Sequence, residues 1–504
     1  MDSLAFTVMP SFGVLSIWGT LAVSVVLCLV AKSIYNVYFH PLSRFPGPRL
    51  WSLTRLCWTV SLARGDLHLK IKSFHDRYGS IVRVAPDELS FIDGSAWQDI
   101  YAGSQRNKGL PKNDVIFGAQ QFRSILDGTD EEHTRMRKVL ASSFSNKNTD
   151  KQEGLLQRYL DILIRNLHQV ARNSKAINVV EWYTWFAFDT TGELAFSESF
   201  NQLEQTISHP WVQMITSHLK YSALSVCLRF YSPLDRLMPL IAPPSLHRLK
   251  WSFISMAREK VFRRMNRPDS KGLDDIFGAC NTPSDEKPIQ MTTEELVGTF
   301  TFLIVSGSET TATVLTGITN YLCHNPRVLK LLTDELRSVP EEGGLTLAST
   351  ATMPYLNGVI KEGMRLCHPV PGALSRVVPP EGKVIGGHFV PGNTLVGISP
   401  FAAYISDSNF ASPYEFTPER WLGDQEDNNR NIFQPFSVGG RNCIGQNLAW
   451  AEMRLILARV LYNFDIEQAG GRDWMEKKSY LLWEKDPLLI RVKAAREGGF
   501  YLLG

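Results

Sequence analysis

The sequence predicts a mainly helical body with a smaller content of short strands, led by one membrane-spanning helix. Three observations predict this. A charge-free apolar run opens the chain, and long segments with apolar residues at helical spacing dominate the remainder. The β-like runs between them are short and scattered, with few βαβ alternations.

The opening run comes first. No charged residue occurs from Ser3 to Ala31, and Val14 to Val30 is almost continuously apolar. With Met9 to Gly13 it suffices for one span of ~20 helical residues across ~30 Å of hydrocarbon. A buried soluble helix would normally show a polar stripe, which is missing here. A cleaved signal peptide is the rival, but it calls for a basic start and a small-residue cleavage site. Here Asp2 stands at the start and Lys32 ends the run. Lys32, Arg44 and Arg49 all lie after the span, so the positive-inside rule puts the rest of the chain in the cytosol. Pro41, Pro46 and Pro48 then forbid a helix and predict a short, stiff connector. The expected division is an anchor over 1–32, a Pro-rich hinge over 33–50 and one large domain over 51–504.

Composition narrows the rest. The 504 residues are 44% hydrophobic and 20% charged, which excludes a disordered or multi-span chain. A net charge of +3 gives no reason to expect nucleic acid. The cysteines are Cys28, Cys57, Cys227, Cys280, Cys323, Cys367 and Cys443, an odd set without close pairs. That spacing suits neither a disulfide framework nor a zinc site, and it fits a reducing compartment.

Within the body the periodicity predicts helices over Glu153–Ala171, Trp251–Arg264 and Thr293–Cys323, and strands over Ile81–Val84, Leu89–Ile92 and Leu395–Ile398. There is no internal repeat or long linker, and no G-x-G-x-x-G comes after a strand. A nicotinamide or flavin domain is therefore not visible, and electrons for any redox chemistry come from outside.

The most informative stretch is Pro435 to Leu461, PFSVGGRNCIGQNLAWAEMRLILARVL. Cys443 lies in a glycine-rich loop directly before an amphipathic helix with apolar Leu448, Met453, Leu455, Ile456, Val460 and Leu461. A helix N-terminus supplies N–H donors and positive partial charge to a thiolate. Gly439, Gly440 and Gly445 allow a tight turn and close approach to a flat group. The alternative is a buried structural cysteine beside a glycine turn.

Phe436, Gly439, Arg441, Cys443 and Gly445 match F-x-x-G-x-R-x-C-x-G at every fixed position. On these residues the chain resembles the cytochrome P-450 family, whose haem-binding loop this is. By composition alone the pattern should arise in on the order of one in ten thousand chains of this length. The resemblance runs through anchor, hinge and body, and is closest to microsomal enzymes of fungal secondary metabolism. It implies the cytochrome P-450 fold, haem b (iron protoporphyrin IX) as cofactor, and Cys443 as the thiolate ligand of its iron. Thiolate donation favours O–O cleavage.

The resemblance also assigns roles elsewhere. Glu362 and Arg365 in KEGMRL share a helix face, and Pro418-Glu419-Arg420-Trp421 matches the family's P-E-R-W segment. The implied triad Glu362, Arg365 and Arg420 reads as a scaffold lock. A capping box of Thr292 and Glu295 opens the long apolar helix, which carries Ser306-Gly307-Ser308-Glu309-Thr310-Thr311. Gly and hydroxyl residues there predict a local distortion. By resemblance Glu309 and Thr310 are the acid–alcohol pair that guides protons to dioxygen, although Ser306 replaces the usual Ala or Gly. His133 stands where Trp is common in W-x-x-x-R. With Arg137, Arg376 and Arg441 it is a candidate partner of the haem propionates. Arg135 and Lys138 are candidates for docking an acidic reductase. The implied cavity is lined by Asn113–Ile125, Phe300–Ser306, Val370–Ser375 and the surroundings of Tyr480, with Leu237–Pro244 dipping into the membrane.

The expected activity is monooxygenation of a lipophilic small molecule in the endoplasmic reticulum membrane, with a single-pass anchor and a cytosolic catalytic domain. Electrons come from NADPH through a cytochrome P-450 reductase, with cytochrome b5 as an optional second donor. Three alternatives stay open: a haem-thiolate isomerase or dehydratase, a coupling or multi-step oxidase, and a non-catalytic membrane haem-binding protein. The substrate is beyond the sequence.

Overall fold

A computed structural model describes residues 11–103, 109–117, 123–267, 275–281, 291–423, 428–470, 474–475 and 477–495. Helix α1 (Ser11–Tyr38) continues six residues past Lys32, so the expected hinge is helical over its first part and irregular only after Tyr38, ahead of Pro41. Its apolar side chains stand free of the body: Trp18 and Leu27 are more than half exposed. Trp18–Tyr38 is long and apolar enough to cross a membrane.

The body is built around α7 (Thr293–His324). The capping box expected from the sequence opens it: Glu295 N–H donates to Thr292 Oγ1 at 3.2 Å, and Thr292 N–H donates to Glu295 Oε2 at 2.8 Å. Around α7 lie α2 (Asp130–Leu140), α3 (Glu153–Arg172), α4 (Val179–Phe196), α5 (Pro210–Arg229), α6 (Pro244–Met265), α8 (Pro354–Leu366) and α9 (Gln446–Asn463). The α4–α7 contact is the most extensive between helices. One apolar core joins α7 to α3, α8 and α9, and a second joins it to α2, α5 and α6; α4 contributes to both. Gly307 permits the α4–α7 approach, because a Cβ there would lie 2.8 Å from Thr191 Oγ1.

The strands form a small flank. In the four-stranded sheet β1 (Ile81–Ala85) pairs antiparallel with β2 (Glu88–Phe91). Strand β2 runs parallel to β5 (Leu395–Ile398), which pairs antiparallel with β4 (Arg376–Val377). Both faces of β1, β2 and β5 are buried, which suits an apolar content broken only by Arg83, Glu88 and Ser90. A second sheet has the order β3 (Ile177–Asn178), β9 (Leu489–Ala494), β6 (Phe464–Gln468). A short hairpin of β7 (Ser479–Tyr480) and β8 (Leu482–Trp483) and another of Lys383–Ile385 with His388–Val390 complete the flank among the described residues.

Candidate active site

The cysteine loop leads from a 3-10 turn at Arg430–Ile432 into α9. Gly439 takes φ +79°, and a Cβ on it would sit 2.2 Å from the Tyr101 carbonyl oxygen, so glycine is required there. Of the three glycines expected to ease the turn only this one has positive φ; Gly445 has φ −85° and caps α9. The turn closes when Cys443 N–H donates to the Phe436 carbonyl at 2.9 Å. His368 braces the approach, its Nε2 lying 3.1 Å from the Pro435 carbonyl oxygen.

Cys443 is an exposed side chain, yet burial is the main influence that raises its thiol pKa; the Gly445 N–H and the Arg137 charge pull it down. Both statements hold for a sulfur that opens onto an interior space instead of the outer surface. Phe302, Ser306 and Thr310, four residues apart on one face of α7, are only half-buried at the centre of the molecule.

Basic side chains gather beside the sulfur. Arg137 donates from both terminal nitrogens to Asn442 in the loop, to its carbonyl at 2.7 Å and to its Oδ1 at 2.6 Å. Arg441 pairs with Asp130 at 2.7 Å through Nη2, while its buried Nη1 has no partner among the described residues. Arg376 is held over the Tyr101 ring. His133 is buried, and its pKa is lowered to about 3 by burial and then by Arg441, Lys112 and Arg137. Burial, with Arg441 and Arg376, lowers Lys112 to about 7. Lys112 was not expected from the sequence, since a lone lysine in a loop has no pattern to mark it. Clustered guanidiniums, one with a nitrogen left without a partner among the described residues, want carboxylates, and the uncharged His133 ring can add an N–H donor. These residues therefore fit a flat macrocycle carrying propionates, with its metal at Cys443.

The sequence expectations fare unevenly in detail. Helix α7 is unbroken from 293 to 324, so the distortion expected at 306–311 does not interrupt it. The hydroxyls are satisfied instead by back-bonding: Ser308, Thr310 and Thr313 donate to the carbonyls of Ile304, Ser306 and Glu309 at 2.6, 2.7 and 2.7 Å. Of the expected lining, Phe300 and Ile304 are in the core, as is Ile125; Tyr480 packs among Trp51, Trp58 and Val226. Residues 118–122 lie outside the described residues. Arg135 is not free for docking: it forms a two-pronged pair with Glu295, with Nη1 3.0 Å from Oε2, and so ties α2 to the start of α7. Lys138 is exposed.

Glu362, Arg365 and Arg420 meet in one buried network. Arg365 donates to Glu362 Oε2 at 3.0 Å and to Oε1 at 2.8 Å, and Arg420 Nε donates to Oε1 at 2.9 Å. Thr417 N–H and Trp421 Nε1 supply two further donors at 3.0 and 2.9 Å. Arg365 also donates to the carbonyls of Tyr404 and Pro413, each at 2.7 Å, which binds α8 to the segment leading into the cysteine loop. Two groups near α7 had no sequence signal. Glu452 on α9 is fully enclosed, accepts from Thr190 Oγ1 at 3.1 Å, and is raised by burial to about 8. Lys485 pairs with Glu309 at 2.7 Å.

The sequence model of the family described as Cytochrome P-450 matches residues 45–492. Among curated proteins, cytochrome P-450 monooxygenase lcsI of Purpureocillium lilacinum is 39% identical over 484 residues, 93% of each chain. Averantin hydroxylase of Dothistroma septosporum is 37% identical, covering 91% of this chain and 88% of its own. Cytochrome P-450 monooxygenase aclL of Aspergillus oryzae is 36% identical, covering 95% and 98%. A match that runs from the connector after α1 into the last strand, with relatives aligned over almost their whole length, leaves one assignment: the chain belongs to the cytochrome P-450 family and is a haem-thiolate monooxygenase.

Proposed function

We propose that this enzyme inserts one atom of dioxygen into a lipophilic small molecule of fungal secondary metabolism. The second oxygen atom leaves as water, with two electrons and two protons consumed. The electrons come from NADPH through a cytochrome P-450 reductase, with cytochrome b5 as an optional second donor. Haem b, when bound, supplies the oxygen activation. The observation that carries this reading is Cys443, accessible at its surface yet surrounded by the body, beside arginines of which Arg441 has an Nη1 without a partner among the described residues.

The chain's own residues have distinct tasks in this reading. Cys443 is the metal ligand; Phe436, Gly439, Arg441 and Gly445 shape its loop. His133, Arg137, Arg376 and Arg441 hold the propionates, with Lys112 added to them, and Arg137 also fixes the loop through Asn442. Glu309 and Thr310 carry protons to the reacting oxygen, the last donor being Thr310 Oγ1. Glu362, Arg365 and Arg420 lock the scaffold. Phe302 and Val305 on α7 and Ala373 and Leu374, all half-buried, favour a lipophilic substrate. A relative named as a hydroxylase supports hydroxylation as the outcome.

Helix α1 makes the enzyme a single-pass protein of the endoplasmic reticulum membrane, with Lys32, Arg44 and Arg49 holding the body on the cytosolic side. The expected domains are the anchor over 1–32, the hinge over 33–50 and the catalytic domain over 51–504. Leu237, Leu240 and Ile241 are exposed, Leu240 by 83%, and this apolar patch supports a dip of the segment into the same membrane. The test is turnover under isotopically heavy dioxygen with reductase and NADPH. One heavy atom per product is expected. Product formed without dioxygen or NADPH would favour the isomerase or dehydratase alternative.

A further inference from the structure

The acid–alcohol reading leaves a buried carboxylate to be held in place. Glu309 is nine-tenths buried, and a charged group there needs a partner. The partner is 176 residues away in sequence. Lys485 Nζ lies 2.7 Å from Glu309 Oε2, and both side chains are less than a tenth exposed. The ammonium makes no aligned hydrogen bond among the described residues, so the contact is a charge pair and Glu309 is its sole partner there.

Lys485 is itself fixed from both sides. The preceding Glu484 pairs with Lys220 on α5. Trp483 Nε1 donates to the His368 carbonyl at 2.7 Å, and Trp474 Nε1 donates to the Asp486 carbonyl at 2.8 Å. The segment after the β7–β8 hairpin is therefore pinned before and after position 485. A long lysine side chain normally resists being held in one geometry. Here its backbone is prepared for that task, and the same His368 also braces the cysteine loop.

We infer that Lys485 is a positioning residue for the proton-carrying step: it holds the Glu309 carboxylate at one place on α7, next to Thr310. This rests on the reading of Glu309 and Thr310 as the proton pair. A carboxylate released from Lys485 can swing or withdraw, and misplacement of this kind weakens proton delivery without altering substrate binding. A purely structural pair would affect stability and leave the fate of the electrons unchanged.

The experiment uses the full-length haem-loaded enzyme with reductase, and a substrate identified by turnover. Product per NADPH, hydrogen peroxide, kcat and KM are measured for wild type, Lys485→Met, Lys485→Arg and Glu309→Gln. Lys485→Met is expected to lower kcat and product per NADPH about tenfold, raise peroxide and leave KM near wild type. Lys485→Arg should restore most of the coupling. A second readout needs no turnover: thermal melting of Glu309→Gln, Lys485→Met and the double variant. If the pair exists, the double variant melts no lower than the worse single variant. Additive losses would overturn the pairing. Glu309→Gln uncoupled with Lys485→Met coupled like wild type would overturn the positioning role alone. Glu309→Gln coupled like wild type would overturn the acid reading beneath it.

Discussion

The hydroxyl of Thr310 donates to the Ser306 carbonyl at 2.7 Å, the same back-bond that Ser308, Thr313, Thr316 and Thr319 make along α7. Exposure separates Thr310 from these four, although Thr301 makes the same bond and is half-buried too. Those four residues are buried, whereas Thr310 is half-open on the face shared with Phe302 and Ser306. A helix bond of this type is weak and its loss is absorbed by the turn. Thr310→Ala should therefore keep haem content and melting temperature near wild type. Product per NADPH should fall about tenfold or more as peroxide rises. Unchanged coupling would remove the hydroxyl from the proton route.

Among the elements, α8 and α9 carry the burden of shape. Glu362 on α8 accepts five hydrogen bonds, from Arg365 twice and from Arg420, Thr417 and Trp421. Glu362→Gln strips the charge from a carboxylate set between two guanidiniums. It should cost ~3–5 kcal/mol, read as a lower urea midpoint and reduced haem retention. An unchanged midpoint would show that the network is slack. Glu452 on α9 gives a signed pH dependence. Its pKa is raised from 4.5 to about 8 by burial, so the unfolded chain loses this proton near pH 4.5 while the folded chain keeps it to about pH 8. The unfolded state then binds fewer protons across that window, and stability contributed by this site falls as pH rises from about 4.5 to 8. Glu452→Gln should lose less melting temperature than wild type between pH 5 and pH 8; equal losses would contradict a neutral buried carboxyl.

Legibility in the sequence tracked the length of the signal. The helix over Glu153–Arg172 matches its pattern almost to the residue because sustained periodicity overrides local noise, whereas the four-residue strand Leu395–Ile398 is marked only by its apolar run. The distortion expected within α7 failed because propensity ignores back-bonding and the packing of α4 against it. Glu362, Arg365 and Arg420 were visible through two short motifs. Trp421 and Thr417 as donors to the same carboxylate were not, since motif spacing says nothing of hydrogen bonds. Lys112, Glu452 and Lys485 carry no local signature at all: their meaning comes from neighbours brought close only by the fold.

At the scale of the whole molecule, one long central helix and the loop that carries Cys443 are held by the rest of the fold. Helix α7 contributes to two apolar cores, α8 and its arginine network fix the approach to Cys443, and α1 is long and apolar enough to cross a bilayer. The central claim is that the sulfur of Cys443 is the ligand on which this arrangement converges. A carbon-monoxide difference spectrum of the reduced protein in the membrane fraction, wild type beside Cys443→Ala, tests it most directly. A thiolate-type Soret band in the wild type and its loss in the variant are predicted. A thiolate-type band that survives in Cys443→Ala, or a histidine-type band in folded wild type, would contradict the account.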